Sequence, residues 1–183
     1  MVFIDESGAL LCPLVRRTLA PKGETPVLEH RAKHRDKVSI ISALTVSPQG
    51  RHLGFYFSTL PDDHFESTAV AWFVRQLLQH LRGPVILVWD RGSMHKGEPI
   101  RKLVADHPRL QIELLPPYAP ELNPVEQIWS YVKWHKMSNF APHDTAELEQ
   151  RLFEELDLCR VDQDRLKSFW RASALPLPHV LAT

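Results

Sequence analysis

Apolar and polar positions alternate along this chain in blocks that change period, and the blocks give its elements. Val2-Phe3-Ile4 is a short apolar run closed by Asp5, and Glu6-Ser7-Gly8 offers turn chemistry. It predicts a brief strand with Asp5 at its C-terminal end. Lys37 to Val46 and Arg51 to Thr59 are β-rich runs joined by Ser47-Pro48-Gln49-Gly50, a hairpin pattern. Between Asp62 and Leu81, Phe65, Ala69, Trp72, Phe73, Leu77 and Leu81 recur at helical spacing, with Asp62 or Asp63 as the cap and Gly83-Pro84 as the stop. Pro84 to Trp89 is continuously apolar, as in a strand buried on both faces, and ends at Asp90.

The second half continues this alternation. Glu98 to Asp106 reads as a short helix, Leu110 to Leu115 as a strand, and Pro116 to Pro124 as a loop stiffened by proline. Asn123-Pro124 then opens a helix whose stripe is Val125, Ile128, Trp129 and Val132, since Asn caps well and Pro suits the first turn. Two further helices are predicted near 144–157 and 161–172, a helical tail from about 143. The order strand, hairpin, helix, strand, helix, strand, helix predicts an α/β fold: a mixed sheet with helices on its faces. In such sheets, sites lie beyond strand C-termini.

Composition narrows the class. At 183 residues, 44% apolar and 24% charged, the chain is expected to fold as one domain rather than to stay disordered. It holds no apolar run of the roughly 18 residues a membrane helix needs, and its start lacks signal-peptide features, so the expected setting is cytoplasmic, with no membrane. Cys12 and Cys159 are far apart and outside any CxxC spacing, so two buried, reduced thiols are expected. Basic and acidic residues balance at 22 each, yet Arg16 to Lys37 holds seven Lys/Arg against three acids, while Asp144 to Asp164 holds eight acids against Arg151 and Arg160. A phosphate backbone prefers the first stretch.

Three carboxylates draw attention together. Singly, each has an ordinary reading: Asp5 and Asp90 can form turns before Gly8 and Gly92, and Glu126, three residues after Asn123, can close a capping box. In combination, two Asp residues at the ends of apolar strands and a Glu in the first turn of a helix would gather like charges at a cost of several kcal/mol per unpaired ion. A hard cation offsets that cost, and all-oxygen ligands suit Mg²⁺ or Mn²⁺; two such ions roughly 4 Å apart serve phosphoryl transfer.

Four stretches carry a family likeness: Phe3-Ile4-Asp5-Glu6-Ser7-Gly8; Arg17-Thr18-Leu19-Ala20-Pro21-Lys22-Gly23 with Thr25-Pro26-Val27; Leu87-Val88-Trp89-Asp90 leading to His95; and the most specific, Leu115-Pro116-Pro117-Tyr118-Ala119-Pro120-Glu121-Leu122-Asn123-Pro124-Val125-Glu126-Gln127-Ile128-Trp129. Over residues 1 to about 140 the chain resembles the DDE catalytic domain of the IS630/Tc1/mariner transposase superfamily, and the 35 residues between Asp90 and Glu126 agree with its acid spacing. The resemblance implies an RNase H-like fold, a five-stranded mixed sheet with helices on both faces. It also implies Asp5, Asp90 and Glu126 as catalytic and metal-binding triad, two Mg²⁺ (or Mn²⁺) ions, and DNA strand cleavage and transfer.

The implied partners are transposon ends and target DNA, a second copy of the chain, and a separately encoded helix-turn-helix subunit, since members carry such a module before the first strand and Met1 stands almost at that strand. Residues 1–183 are then a single catalytic domain. Two departures from the pattern are Arg91, where the family commonly has Asn, and Leu19, where it often has Trp. Alternatives are an inactive remnant that only binds DNA or a partner, and an RNase H-like nuclease without strand transfer.

Secondary candidates for substrate binding are Arg91, His95, Lys96, Lys133, Arg17 and Lys22. Arg91 could hold a phosphate bidentately or compete with a metal. His95 could contact phosphate, orient the site or serve as a hydrogen-bonded loop histidine. Lys133, seven positions after Glu126, shares its helix face. His30 and His34 have i, i+4 zinc spacing but no third ligand, and read as part of a phosphate-facing basic segment. The five Trp residues read mostly as core.

Overall fold

The computed structural model describes residues 1–29, 36–50 and 52–176; His30, Arg31, Lys33, His34 and Arg35 of the basic segment, and Arg51 at the start of the second hairpin run, lie outside the described residues. Five strands form one mixed sheet: β1 (Val2–Leu10), β2 (Lys37–Val46), β3 (Leu53–Pro61), β4 (Val85–Trp89) and β5 (Leu110–Leu114), in the spatial order β3-β2-β1-β4-β5. The hairpin forms where the two β-rich runs predict it, β2 pairing antiparallel with β3 from Val38↔Pro61 to Val46↔Leu53. β4 and β5 run parallel to β1, each reached through a helix as a parallel connection requires.

The helices are α1 (Ser67–His80), α2 (Glu98–Asp106), α3 (Pro124–Tyr131), α4 (Thr145–Val161) and α5 (Gln163–Ala172). Alternation along β1 assigns them to faces. Val2 and Ile4 point into the core built with α1 and α2, which holds Val70, Val74, Leu77 and Leu103. Phe3 points the other way, into the core built with α3, α4 and α5, where Ile128, Leu152, Leu166 and Trp170 lie. Helices therefore cover both faces of the sheet, and the stripe Val125, Ile128, Trp129, Val132 is buried throughout. Among the described residues no helix is long and apolar enough to cross a membrane.

Several expectations are corrected. β1 does not stop at Asp5: Glu6, Ser7 and Gly8 pair with Ile41, Ile40 and Ser39, so the antiparallel ladder with β2 overrides their turn chemistry. Asp62 and Asp63 do not cap α1. Asp62 adopts a positive φ of 55° and gives its N–H to the Lys37 carbonyl, finishing the hairpin, and Glu66 takes the cap position. β4 is not buried on both faces, because Ile86 is exposed where no helix covers that part of the sheet. α4 runs on to Val161. Trp89, Trp129 and Trp170 are core, whereas Trp72 and Trp134 are exposed; Cys159 is buried and Cys12 only partly so, and both thiols are free.

Candidate active site

β1 and β4 pair only at Val2↔Leu87 and Phe3↔Val88, and beyond that point they part. Asp5 stands on β1 two residues past the last pair, and Asp90 follows the last residue of β4, so both open into the gap at the C-terminal side of these parallel strands. α3 delivers the third carboxylate. Asn123 caps it, Oδ1 accepting from the Val125 N–H at 3.2 Å, while its Nδ2 donates to the Ile4 carbonyl at 3.2 Å, which fastens the start of α3 to β1 one residue before Asp5. Glu126 closes no capping box, since the Asn123 N–H already goes to the Pro120 carbonyl at 2.9 Å.

Asp5, Asp90 and Glu126 line one cleft of about 470 Å³, with Arg91, Gly92, Asn123 and the loop from Leu115 to Pro120 as its other walls. The loop is anchored by the Leu115 N–H, which donates to the Trp89 carbonyl at 2.8 Å, and it presents Tyr118 fully exposed with a positive φ of 56°. The carboxylates form an open set: among the described residues, no three His, Cys, Asp or Glu side chains are already gathered closely enough to hold an ion.

Charge explains that openness. Burial, with Glu126, Glu6 and Asp90 nearby, pushes the Asp5 carboxyl up to about 8, although the Trp129 indole N–H donates to its Oδ2 at 2.9 Å and pulls the other way. Glu126 is raised too, by burial and then by Asp90, against the opposing pull of Lys133. Lys133 is in turn lowered by burial, with Glu126 and Asp5 opposing, and its Nζ donates to Ser7 Oγ at 2.6 Å. Three carboxyl groups on one cleft, two of them raised first by burial and then by neighbouring acids, offer only hard oxygen donors and fit a divalent cation of the Mg²⁺ type.

A second network lies behind the first. Glu6, on the face of β1 opposite to Asp5, places both carboxylate oxygens 3.0 Å from His95 Nε2. The buried His95 ring stacks on Trp89 with centroids 4.3 Å apart, and its Nδ1 lies 2.9 Å from Asp90 Oδ1. Burial disfavours the charged ring, but the hydrogen bond and charge of Glu6, with those of Asp90, outweigh it and raise His95.

The other sequence candidates divide. Arg91 is on the cleft wall, its Nε 3.4 Å from the Leu115 carbonyl, and Lys133 sits beside Asp5 and Glu126. His95 does not line the cleft: its side chain is 1% exposed, which speaks against direct contact with phosphate and agrees with either an orienting or a plain hydrogen-bonded histidine. Lys96, Arg17 and Lys22 are exposed and do not line the cleft. Sequence reasoning missed Glu6, Ser7, Trp129 as an Asp5 partner, and Arg16, which donates to the Trp134 carbonyl at 2.5 Å. For Glu6 a signal existed: period-two alternation puts an acid next to Asp5 on the opposite face, where it needs its own partner.

The cleft that opens where β1 and β4 part is lined by Asp5, Asp90 and Glu126 and sits on a mixed sheet of order 3-2-1-4-5. The model of the DDE superfamily endonucleases matches residues 1–148, and the chain belongs to that family. Solved structures agree in fold: the pre-cleavage Mos1 transpososome (TM-score 0.68, 16% identity) and the Mos1 transposase paired-end complex with the left transposon end (TM-score 0.66, 17% identity) are each matched over 99% of this chain and 53% of theirs. The catalytic domain of Mos1 mariner transposase is matched over 99% of this chain and 78% of its own, at a TM-score of 0.61 and 15% identity. The chain thus spans about half the length of the longer Mos1 chains it matches, and its fold is RNase H-like as the resemblance implies. No curated protein sequence matches it.

Proposed function

We propose that residues 1–183 act as the catalytic domain of a DNA transposase, cutting DNA at transposon ends and joining the freed ends to target DNA. The observation that carries this reading is the convergence of Asp5, Asp90 and Glu126, from β1, the end of β4 and the first turn of α3, on one cleft of a DDE-superfamily chain. Mos1 structures have been determined with Mg and with Mn, which supports a divalent ion here; two ions are part of this reading. Asp5, Asp90 and Glu126 would hold them, and when bound they supply activation of the attacking oxygen and charge stabilisation of the leaving one.

The chain's own residues do the rest. Trp129 and Asn123 hold Asp5 and α3 in mutual register, so two carboxylates from distant parts of the chain meet one phosphodiester. Arg91 on the cleft wall and Lys133 beside Asp5 and Glu126 place positive charge near the carboxylates, where a DNA phosphate would need it. The proline-stiffened loop supplies a wall that does not have to order itself when DNA enters. Transposon ends and target DNA are the substrates; a second copy of the chain and a helix-turn-helix module, provided as a separate subunit, complete the assembly. The placement within the IS630 branch rests on the motifs at Asp5, Asp90 and Glu126.

The test is nicking of supercoiled plasmid bearing transposon ends, with Mg²⁺ or Mn²⁺ and a helix-turn-helix partner. Wild type should nick and then give strand-transfer products, and Asp90→Asn should do neither, because an amide oxygen does not replace the lost charge. Nicking by Asp90→Asn at the wild-type rate would remove the triad assignment; nicking without joined products would leave a nuclease of the same fold.

A further inference from the structure

Asp90 is the most exposed of the three carboxylates, standing just past the end of β4 with more than half of its side chain exposed. A free side chain there would sample several rotamers, and only some would aim an oxygen into the cleft. Oδ1 accepts from the Gly92 N–H at 2.8 Å and lies 2.9 Å from His95 Nδ1, whose hydrogen bond goes to the Asp90 main-chain carbonyl at 3.2 Å, and Oδ2 is left as the oxygen available to the cleft. The ring is itself held. His95 has a side chain only 1% exposed, lies parallel to the Trp89 indole, and meets both oxygens of Glu6 at Nε2.

Glu6 does not line the cleft, although its charge helps to raise Asp5. It comes from β1 and reaches the segment after β4 where those strands have stopped pairing, so the Glu6–His95–Asp90 chain spans the gap in place of a ladder. Gly92 completes the arrangement: a Cβ there would lie 2.4 Å from Met94 Sδ and 3.0 Å from Asp90 Oδ1, so a side chain would push against the carboxylate being held. Each ring nitrogen of His95 faces only oxygen acceptors, the geometry of a ring donating at both ends.

We propose that Glu6 and His95 are positioning residues which lock the rotamer of Asp90 and thereby set the affinity of the cleft for a divalent ion. This rests on the reading of Asp90 as an ion ligand given above. Partners that orient a ligand from behind typically change metal affinity by about 10- to 100-fold when removed.

The experiment is Mn²⁺ binding by the full chain, read as loss of the free Mn²⁺ signal in electron paramagnetic resonance, with circular dichroism and thermal melting on every variant. Wild type should bind Mn²⁺ and Asp90→Asn should lose most of that binding. His95→Ala and Glu6→Ala should each weaken it by about 10- to 100-fold. Glu6→Gln, which keeps an acceptor for Nε2 and nearly the same shape, should weaken it less, and supplies the answer if an alanine variant does not fold. Glu6→Ala/His95→Ala should bind no more weakly than His95→Ala alone, because Glu6 acts through the ring. Wild-type affinity in the folded Glu6 and His95 variants, with Asp90→Asn still defective, would overturn the positioning roles and leave the cleft assignment standing. Full binding by Asp90→Asn, or none by wild type, would overturn both.

Discussion

The indole N–H of Trp129 donates to Oδ2 of Asp5 at 2.9 Å, so the first acid of the cleft is held by the helix that carries the third. Trp129 is also core, its ring packed beside Ile128 and Val132. Trp129→Phe keeps most of that packing and removes only the donor. Asp5 would then lose the hydrogen bond that lowers its pKa, and ion binding would compete with a more tightly held proton. The expected result is a folded protein, destabilised by about 1 to 3 kcal/mol in chemical denaturation, that needs several-fold more Mn²⁺ for half-maximal nicking at pH 7. An unchanged Mn²⁺ requirement would show that the indole serves packing alone.

Asp5 also predicts how stability depends on pH in the absence of ions. Its folded-state value, about 8, lies above the ordinary 3.8, so the folded chain binds the proton more tightly than the unfolded chain. The stabilising contribution is therefore complete below about pH 4 and is lost as pH rises towards 8. With EDTA present, urea denaturation should show stability falling across that window, and Mg²⁺ should restore part of it at pH 8 by neutralising the same charges. Asp5→Asn should flatten the profile. A profile as steep in Asp5→Asn as in wild type would place the effect elsewhere.

How much of this site was legible beforehand differs by residue. The strand ending at Trp89 and the helix opening at Asn123 follow from apolar runs and cap chemistry, which act over a few residues, and α2 was placed to the residue. Asp5 reads as a candidate at a strand end, but β1 continues past it to Leu10. Gly8 looks like a turn when the chain is taken alone, whereas pairing with β2, some thirty residues away, makes it a strand. Glu6 shows the same limit more sharply. An acid is readable at position 6, but its partner His95 follows β4, 89 residues further along the chain, and no local pattern encodes that meeting.

Asn123 joins two functions in one amide, and its removal should reveal both. Asn123→Ala loses the cap on α3 and the bond to the Ile4 carbonyl, and leaves that buried carbonyl without its donor. A cost of about 2 to 4 kcal/mol in denaturant unfolding is expected from the two losses together. Asn123→Asp keeps a cap acceptor but not the Nδ2 donor, and it adds a fourth negative charge to the cleft wall. Its stability should lie between wild type and alanine, with Mg²⁺ stabilising it more than it stabilises wild type. Equal unfolding midpoints for all three proteins would remove the link between α3 and β1 from the account of the site.

Arg91 stands where the family resemblance leads one to expect Asn, so Arg91→Asn asks what the guanidinium contributes. The side chain is exposed and its hydrogen bond, Nε to the Leu115 carbonyl, is long at 3.4 Å, so the fold should tolerate the change within about 0.5 kcal/mol. Its charge faces the same cleft as three carboxylates. At an exposed site the repulsion between Arg91 and a bound cation amounts to about 0.2 to 1 kcal/mol, which corresponds to a half-saturating Mg²⁺ concentration lower by about 1.4- to 5-fold in Arg91→Asn at low salt. The same charge attracts DNA phosphate, so the KM for plasmid should rise in the variant and depend less steeply on salt. Opposite movement of the two constants is the signature of a side chain that trades ion affinity for DNA affinity. If Mg²⁺ affinity and KM both stay at wild-type values, Arg91 acts on neither ligand and its position on the wall has no electrostatic consequence.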